Sequence, residues 1–129
     1  MKILIVEPGR APRPAEIEYD LHVMQDIVGG SIQAVHPWQE AVALVCNDEG
    51  KLLNLPYNRV LENYDIISGT FFICGIKGAD FTSLTETQLK KYTKMFKYPE
   101  RFHHTSEGLV CIKAVSAPER ENKSKDYER

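Results

Sequence analysis

Hydrophobic and polar positions along this chain fall into short blocks of changing period. Ile3 to Val6 is an aliphatic, largely β-branched run ended by Glu7-Pro8-Gly9, which predicts a first strand closed by a turn. Arg10 to Pro14 carries further prolines and is expected as a loop, and Glu16-Ile17-Glu18 as a short edge strand. From Leu21 the period lengthens. Leu21, Met24, Ile27 and Val28 recur at helical spacing, Asp20 is placed to cap the start, and Gly29-Gly30 supplies the stop. Ser31 to Val35 returns to extended chain until His36-Pro37 interrupts it.

Val42 to Cys46 and Lys51 to Leu53 flank Asn47-Asp48-Glu49-Gly50, which predicts a hairpin with Gly50 supplying the turn. Asp65 to Gly69 reads as a turn-like step into Thr70-Phe71-Phe72-Ile73-Cys74. That run is apolar almost throughout and is expected as a central strand covered on both faces. Thr85 and Gln88 form a capping box, with Leu84 and Leu89 as its hydrophobic staple. The helix they start should run to about Phe96, turning Leu89, Tyr92 and Phe96 inward and Lys90, Lys91, Lys94 and Lys97 to water. Pro99 ends it, and Leu109 to Val115 reads as a last strand. From Ser116 onward four Lys/Arg stand against four Asp/Glu with almost no apolar residue, the pattern of a charged tail.

These blocks predict an α+β fold: a mixed or mainly antiparallel sheet of about five to six strands with two helices packed on one face. Residues 1–115 would form one globular domain, followed by the tail at 116–129. The expected core runs from Ile3 and Ile5 through Leu21, Met24, Ile27, Val42, Leu44, Leu52, Ile66, Phe71 and Ile73 to Leu89, Tyr92, Phe96, Val110 and Ile112.

Composition changes this picture mainly by exclusion. A chain of 129 residues, 43% hydrophobic and 26% charged, has globular proportions. Its formal net charge of -2 argues against a dedicated nucleic-acid binder. The three cysteines, Cys46, Cys74 and Cys111, are widely spaced and lie in apolar runs, which predicts reduced, buried thiols in a reducing cytosol. The apolar run at the N-terminus is too short for a signal peptide, and no stretch approaches transmembrane length. A cytoplasmic protein with no membrane partner is the expectation.

Two polar clusters are candidates for binding. Tyr57-Asn58-Arg59, with Asp65 nearby, could line a pocket: Arg59 as a fork for phosphate or carboxylate, Asn58 as an amide reader, Tyr57 as a stacking face. The competing reading is a structural loop in which Arg59 pairs with Asp65 and Asn58 closes a turn. Lys90, Lys91, Lys94 and Lys97, continued by Arg101, His103 and His104, form the one basic concentration. It would attract a nucleotide or an acidic partner, or else it is a solvated helix face with cations at its favourable end. His103, His104 and Cys111 lack the second spaced pair that a zinc site wants, so no metal is expected. No nucleophile elbow and no ordered Cys-His-Asn set appears, and Asp48/Glu49 and Glu16/Glu18 read as turn and edge charges. No catalytic residue and no cofactor is predicted.

The blocks E-P-G, V-G-G-S-I-Q, C-N-D-E-G-K-L, L-P-Y-N-R, Y-D-I-I-S-G-T-F-F-I and F-T-S-L-T-E-T-Q occur here in one order and spacing. Together they make residues 1–102 resemble the domain of unknown function 3846 family. The resemblance implies an accessory protein of phages and mobile elements in Gram-positive bacteria, acting against host defence. It brings no established active site. The expectation that joins these strands is a non-enzymatic binder that sequesters a small anionic, nucleotide-like ligand, held by Tyr57, Asn58, Arg59, Asp65, Lys94, Arg101 and His103. The alternatives are an inhibitor or adaptor that binds a host defence protein, and a small enzyme of unknown reaction. A homo-oligomer would suit the first reading, because symmetric interfaces create pockets.

Overall fold

The computed structural model describes residues 1–62 and 64–113. In chain order these form β1 (Lys2–Val6), β2 (Arg13–Glu16), α1 (Leu21–Val28), β3 (Ile32–Val35), β4 (Val42–Asn47) and β5 (Tyr57–Val60). There follow β6 (Ile66–Ser68), β7 (Phe71–Lys77), β8 (Asp80–Thr82), α2 (Glu86–Met95), β9 (Glu100–Thr105) and β10 (Gly108–Lys113). The main sheet has six strands in the order β2-β1-β7-β4-β3, with β8 folded back on the far end of β7. Every pairing in it is antiparallel. Two short ladders, β5–β6 and β9–β10, stand outside it. The fold is α+β.

The central strands are apolar at successive positions, so neither face of the sheet can be left wet. Leu4, Val6, Leu44, Phe71 and Ile73 point to one side and pack with Leu61, Ile67, Tyr92 and Phe96. Ile3, Ile5, Ala43, Val45, Phe72 and Cys74 point to the other and pack with Met24 and Val28 of α1. Each large apolar side chain left in water would forgo roughly 1.5–3 kcal/mol. The two helices therefore lie on opposite faces of the sheet, not both on one as the pattern of their own residues suggested. That pattern shows which stripe of a helix is buried and says nothing about which face receives it.

The local signals at the helices are realised. The Asp20 carboxylate accepts the His22 and Val23 N–H groups at 2.8 and 3.2 Å. Gly29 closes α1 at φ 79°, where a side chain would be strained. Thr85 and Gln88 exchange hydrogen bonds at 3.0 and 3.1 Å. The strand assignments shift in several places. The edge strand is Arg13–Glu16, where Pro14 is tolerated because an edge needs no second ladder bond. Lys51 to Leu53 is not a strand: the Leu53 N–H bonds to the Glu49 carbonyl at 2.9 Å and the Leu55 N–H to that of Gly50 at 3.0 Å, winding the segment into tight turns. Leu52 is consequently 81% exposed, and β4 pairs with β3 and β7 instead. Finally, Leu21, Val110 and Ile112, expected inside, are exposed. Residues 114–129, which hold the end of the expected last strand and the tail, lie outside the described residues. Cys46 and Cys74 are buried and free, whereas Cys111 is free and exposed. Burial pushes the Cys46 thiol up to about 11 and that of Cys74 up to about 12.

Candidate functional site

Arg59 and Asn58 lie inside the protein. A bulge in β5 between Tyr57 and Arg59 turns both side chains inward, and neither is exposed. The Asn58 amide donates to the Val6 and Gly69 carbonyls, each at 2.9 Å. Arg59 Nη1 donates to the Asn58 side-chain oxygen at 2.8 Å, and Nη2 to the carbonyls of Arg10 at 2.7 Å and Phe96 at 3.0 Å. The guanidinium thus joins the first turn, the C-terminal end of α2 and β5. Phe96 caps the negative end of the helix dipole, where a cation is favoured. Burial pulls the pKa down to about 10 against the opposing pull of the Glu100 charge, so Arg59 stays cationic at neutral pH. It staples the fold. Its partner is not Asp65: that carboxylate is exposed and pairs with Lys51, whose ammonium holds it below its ordinary range.

The other residues expected to bind do not converge. Lys94 is exposed in the last turn of α2. Arg101 and His103 are exposed on β9, and strand alternation puts them on the side opposite Phe102 and His104. Tyr57 belongs to that second side: its ring centroid lies 5.3 Å from that of Phe102 and 6.3 Å from that of His104.

Around Tyr57 a different set assembles. A cleft of about 320 Å³ is lined by Lys51, Asn54, Leu55, Pro56, Tyr57, Ser68 and His104. It adjoins a smaller one of about 190 Å³, and the two share Lys51 and Ser68. Two glycines shape this wall. A Cβ on Gly50 would stand 2.7 Å from the Ser68 carbonyl oxygen, so only glycine lets the turn press against β6. Gly69 has φ 85°, and a Cβ there would meet Leu55 at 2.7 Å. Ser68 is 5% exposed, and its hydroxyl has no hydrogen-bond partner among the described residues. Such a group costs about 1–3 kcal/mol if left alone. The larger cleft has Lys51 and His104 as the basic side chains of its lining and no carboxylate there, although Lys51 pairs with Asp65. The smaller one carries Asp48, Glu49 and Asp65.

A second polar cluster, around Glu40, is structural. Its carboxylate accepts from Lys91 and from the buried Tyr92 hydroxyl, both at 2.6 Å, and from Gln88 at 3.3 Å, so it clamps α2 onto the sheet. Lys91 first, then Tyr92, hold the carboxyl below its ordinary value of 4.5. A carboxylate whose folded pKa is lowered stabilises the fold above its unfolded pKa and loses that contribution as pH falls through the folded value. Thermal unfolding should therefore show Glu40→Gln less stable than the parent at pH 7 by about 1 kcal/mol, with the gap closing as the medium is acidified. A gap that persists unchanged below the carboxylate range would contradict the clamp.

Residues 1–97 match the family described as Domain of unknown function (DUF3846). The chain belongs to the DUF3846 family. The match spans β1 through α2 and so includes both glycines, Lys51, Tyr57 and Ser68, while the β9–β10 hairpin with His104 lies beyond it. No curated protein and no solved structure matches the chain. Within this DUF3846 domain, no group of three or more His, Cys, Asp or Glu is placed to hold a metal among the described residues. None of its described helices is long and apolar enough to cross a membrane.

Lys51, Asn54 and Ser68 were not among the residues expected to bind, and His104 was named only in the basic concentration and not in the expected ligand set. Lys51 was absorbed into an expected strand and Ser68 into an expected turn. His104 could have been separated from His103 only by recognising Glu100–Thr105 as a strand, and that run is too polar to announce itself.

Proposed function

We propose that this protein is a non-enzymatic binder of a small anionic ligand that carries a flat ring, taken up in the cleft of Lys51, Tyr57, Ser68 and His104. The observation that carries this reading is a cleft lined by Lys51, Tyr57 and His104, with Asp65 reaching it only through its pair with Lys51, and with a buried serine hydroxyl at its base that has no partner among the described residues. The Tyr57 ring offers a stacking face, the Lys51 ammonium, shared with Asp65, offers charge and the His104 ring a hydrogen bond to a phosphate or carboxylate, and Ser68 offers a hydrogen bond now unused. The volume falls at the small end of ligand pockets, about 300–1,000 Å³, which suits a mononucleotide-sized molecule. In the mobile-element setting implied by the family resemblance, such a protein would sequester a nucleotide-like defence signal.

The test is thermal unfolding and calorimetric titration against nucleoside monophosphates and cyclic nucleotides. At least one should raise the melting temperature of the parent protein, and Lys51→Glu should weaken its binding at least tenfold while lowering the ligand-free stability by no more than about 1 kcal/mol, the range for losing an exposed ion pair such as that with Asp65. No shift with any member of the panel would overturn the reading.

A second reading, a protein-binding inhibitor or adaptor, is favoured by a separate groove of about 350 Å³ whose lining includes Pro37, Trp38, Val60 and Met95. Val60 and Met95 are exposed there while Trp38 is half-buried against the core, and aromatic and methionine side chains are enriched at protein interfaces. The small-enzyme reading has no observation of its own in its favour.

A further inference from the structure

The β9–β10 hairpin carries a surface that the ligand cleft does not use. Its cross-strand register sets Val110 beside His103 and Ile112 beside Arg101, so these four share the outer face. Val110 is 42% and Ile112 53% exposed there. On its other side β10 has no strand paired to it among the described residues. Natural edge strands are guarded by charges, prolines or bulges. From Gly108 to Ile112 this one has no charge, no proline and an unbroken register. A two-stranded ribbon is by itself marginal in water.

We propose that β10 pairs edge to edge with β10 of a second copy of this chain, in an antiparallel, two-fold symmetric dimer centred on Cys111. The register follows from the hairpin. Thr105 and Gly108 close the two-residue turn, so the main-chain groups of Val110 and Ile112 face β9, while those of Leu109, Cys111 and Lys113 face outward. Centring on Cys111 brings these outward groups into mutual hydrogen-bonding positions. It also sets Val110 directly beside the partner's Ile112, as a pair that does not share hydrogen bonds and therefore packs closely. Lys113, whose ammonium stands 3.8 Å from Glu100 of its own hairpin, then lies diagonally across from the partner's Glu107, twice by symmetry, so the ends of the pairing bring opposite charges near each other. The outcome is a four-stranded ribbon whose outer face gathers four apolar side chains, rimmed by Arg101 and His103. The occupant is a second copy because one strand satisfies its own edge, its own apolar pair and its own end charges.

Sedimentation equilibrium and light scattering on the full chain test this without reference to any ligand. The parent should weigh twice the single chain, and Val110→Lys should halve that mass, because it sets two ammonium groups into the apolar strip. A short bis-maleimide should give a covalent dimer through Cys111, the one exposed cysteine among those free, and Cys111→Ser should abolish it. If Val110→Lys fails to fold, Ile112→Glu and the cross-link of the parent protein decide the matter. A parent chain that sediments as a monomer, or a dimer that keeps its mass in both edge variants and is not captured through Cys111, would overturn the pairing.

Discussion

Replacing Arg59 with methionine should remove about 3–5 kcal/mol of stability, a large part of what a domain of this size has to lose. Methionine keeps much of the volume and flexibility of the side chain, so the loss isolates the polar role. The carbonyls of Arg10 and Phe96 and the Asn58 side-chain oxygen would lose their donor, the two buried acceptors, on Phe96 and Asn58, each costing about 1–3 kcal/mol. Relief from burying an unpaired charge returns part of that sum. Lysine should rescue little: a single ammonium on a thinner stem does not reproduce the planar fork that reaches two carbonyls from one nitrogen and a side-chain oxygen from the other. Urea unfolding reads the result directly, as a lower midpoint with an unchanged slope. A methionine variant within about 1 kcal/mol of the parent would mean that the buried guanidinium is incidental.

Tyr92 should be the next most damaging site. Its ring is fully buried, 4.6 Å from the Trp38 ring, while its hydroxyl reaches Glu40. Desolvation first, and the Glu40 carboxylate second, raise its phenol pKa, so it remains a donor at all ordinary pH. Tyr92→Ala should cost about 3–5 kcal/mol, the range for deleting a buried aromatic ring. Tyr92→Phe should cost about 1–2 kcal/mol, since only the hydrogen bond to a charged group is lost. The two losses separate ring from hydroxyl. Because the hydroxyl acts through Glu40, Tyr92→Phe combined with Glu40→Gln should cost less than the sum of the two single changes, and strict additivity would contradict the contact.

The fold was legible where a local rule decides the outcome. Asp20 and Gly29 bound α1 and Thr85 with Gln88 opens α2 because caps are satisfied within a few residues. Phe71 to Cys74 read as a central strand because no polar residue interrupts it. What sequence could not show is pairing. Val42 to Cys46 looked like half of a hairpin with Lys51 to Leu53, yet its partners are Ile32 to Val35 and Phe72 to Gly75. The site was less legible for the same reason. Arg59 has the chemistry of a ligand fork, and only the positions of the Arg10 and Phe96 carbonyls, 49 and 37 residues away in the chain, show that it is consumed by the fold. Ser68 is an ordinary residue in sequence. Its interest arises from Gly50 pressing against it and from a hydroxyl that nothing meets.

Native mass spectrometry of the protein as purified from cells, before and after unfolding, tests the proposed ligand cleft most directly. The account predicts extra mass of a small molecule on the parent chain, released on unfolding, and its absence from Lys51→Glu and Tyr57→Ala prepared in the same way. A bare parent chain that also takes up no mass when the nucleotide panel is added would contradict it.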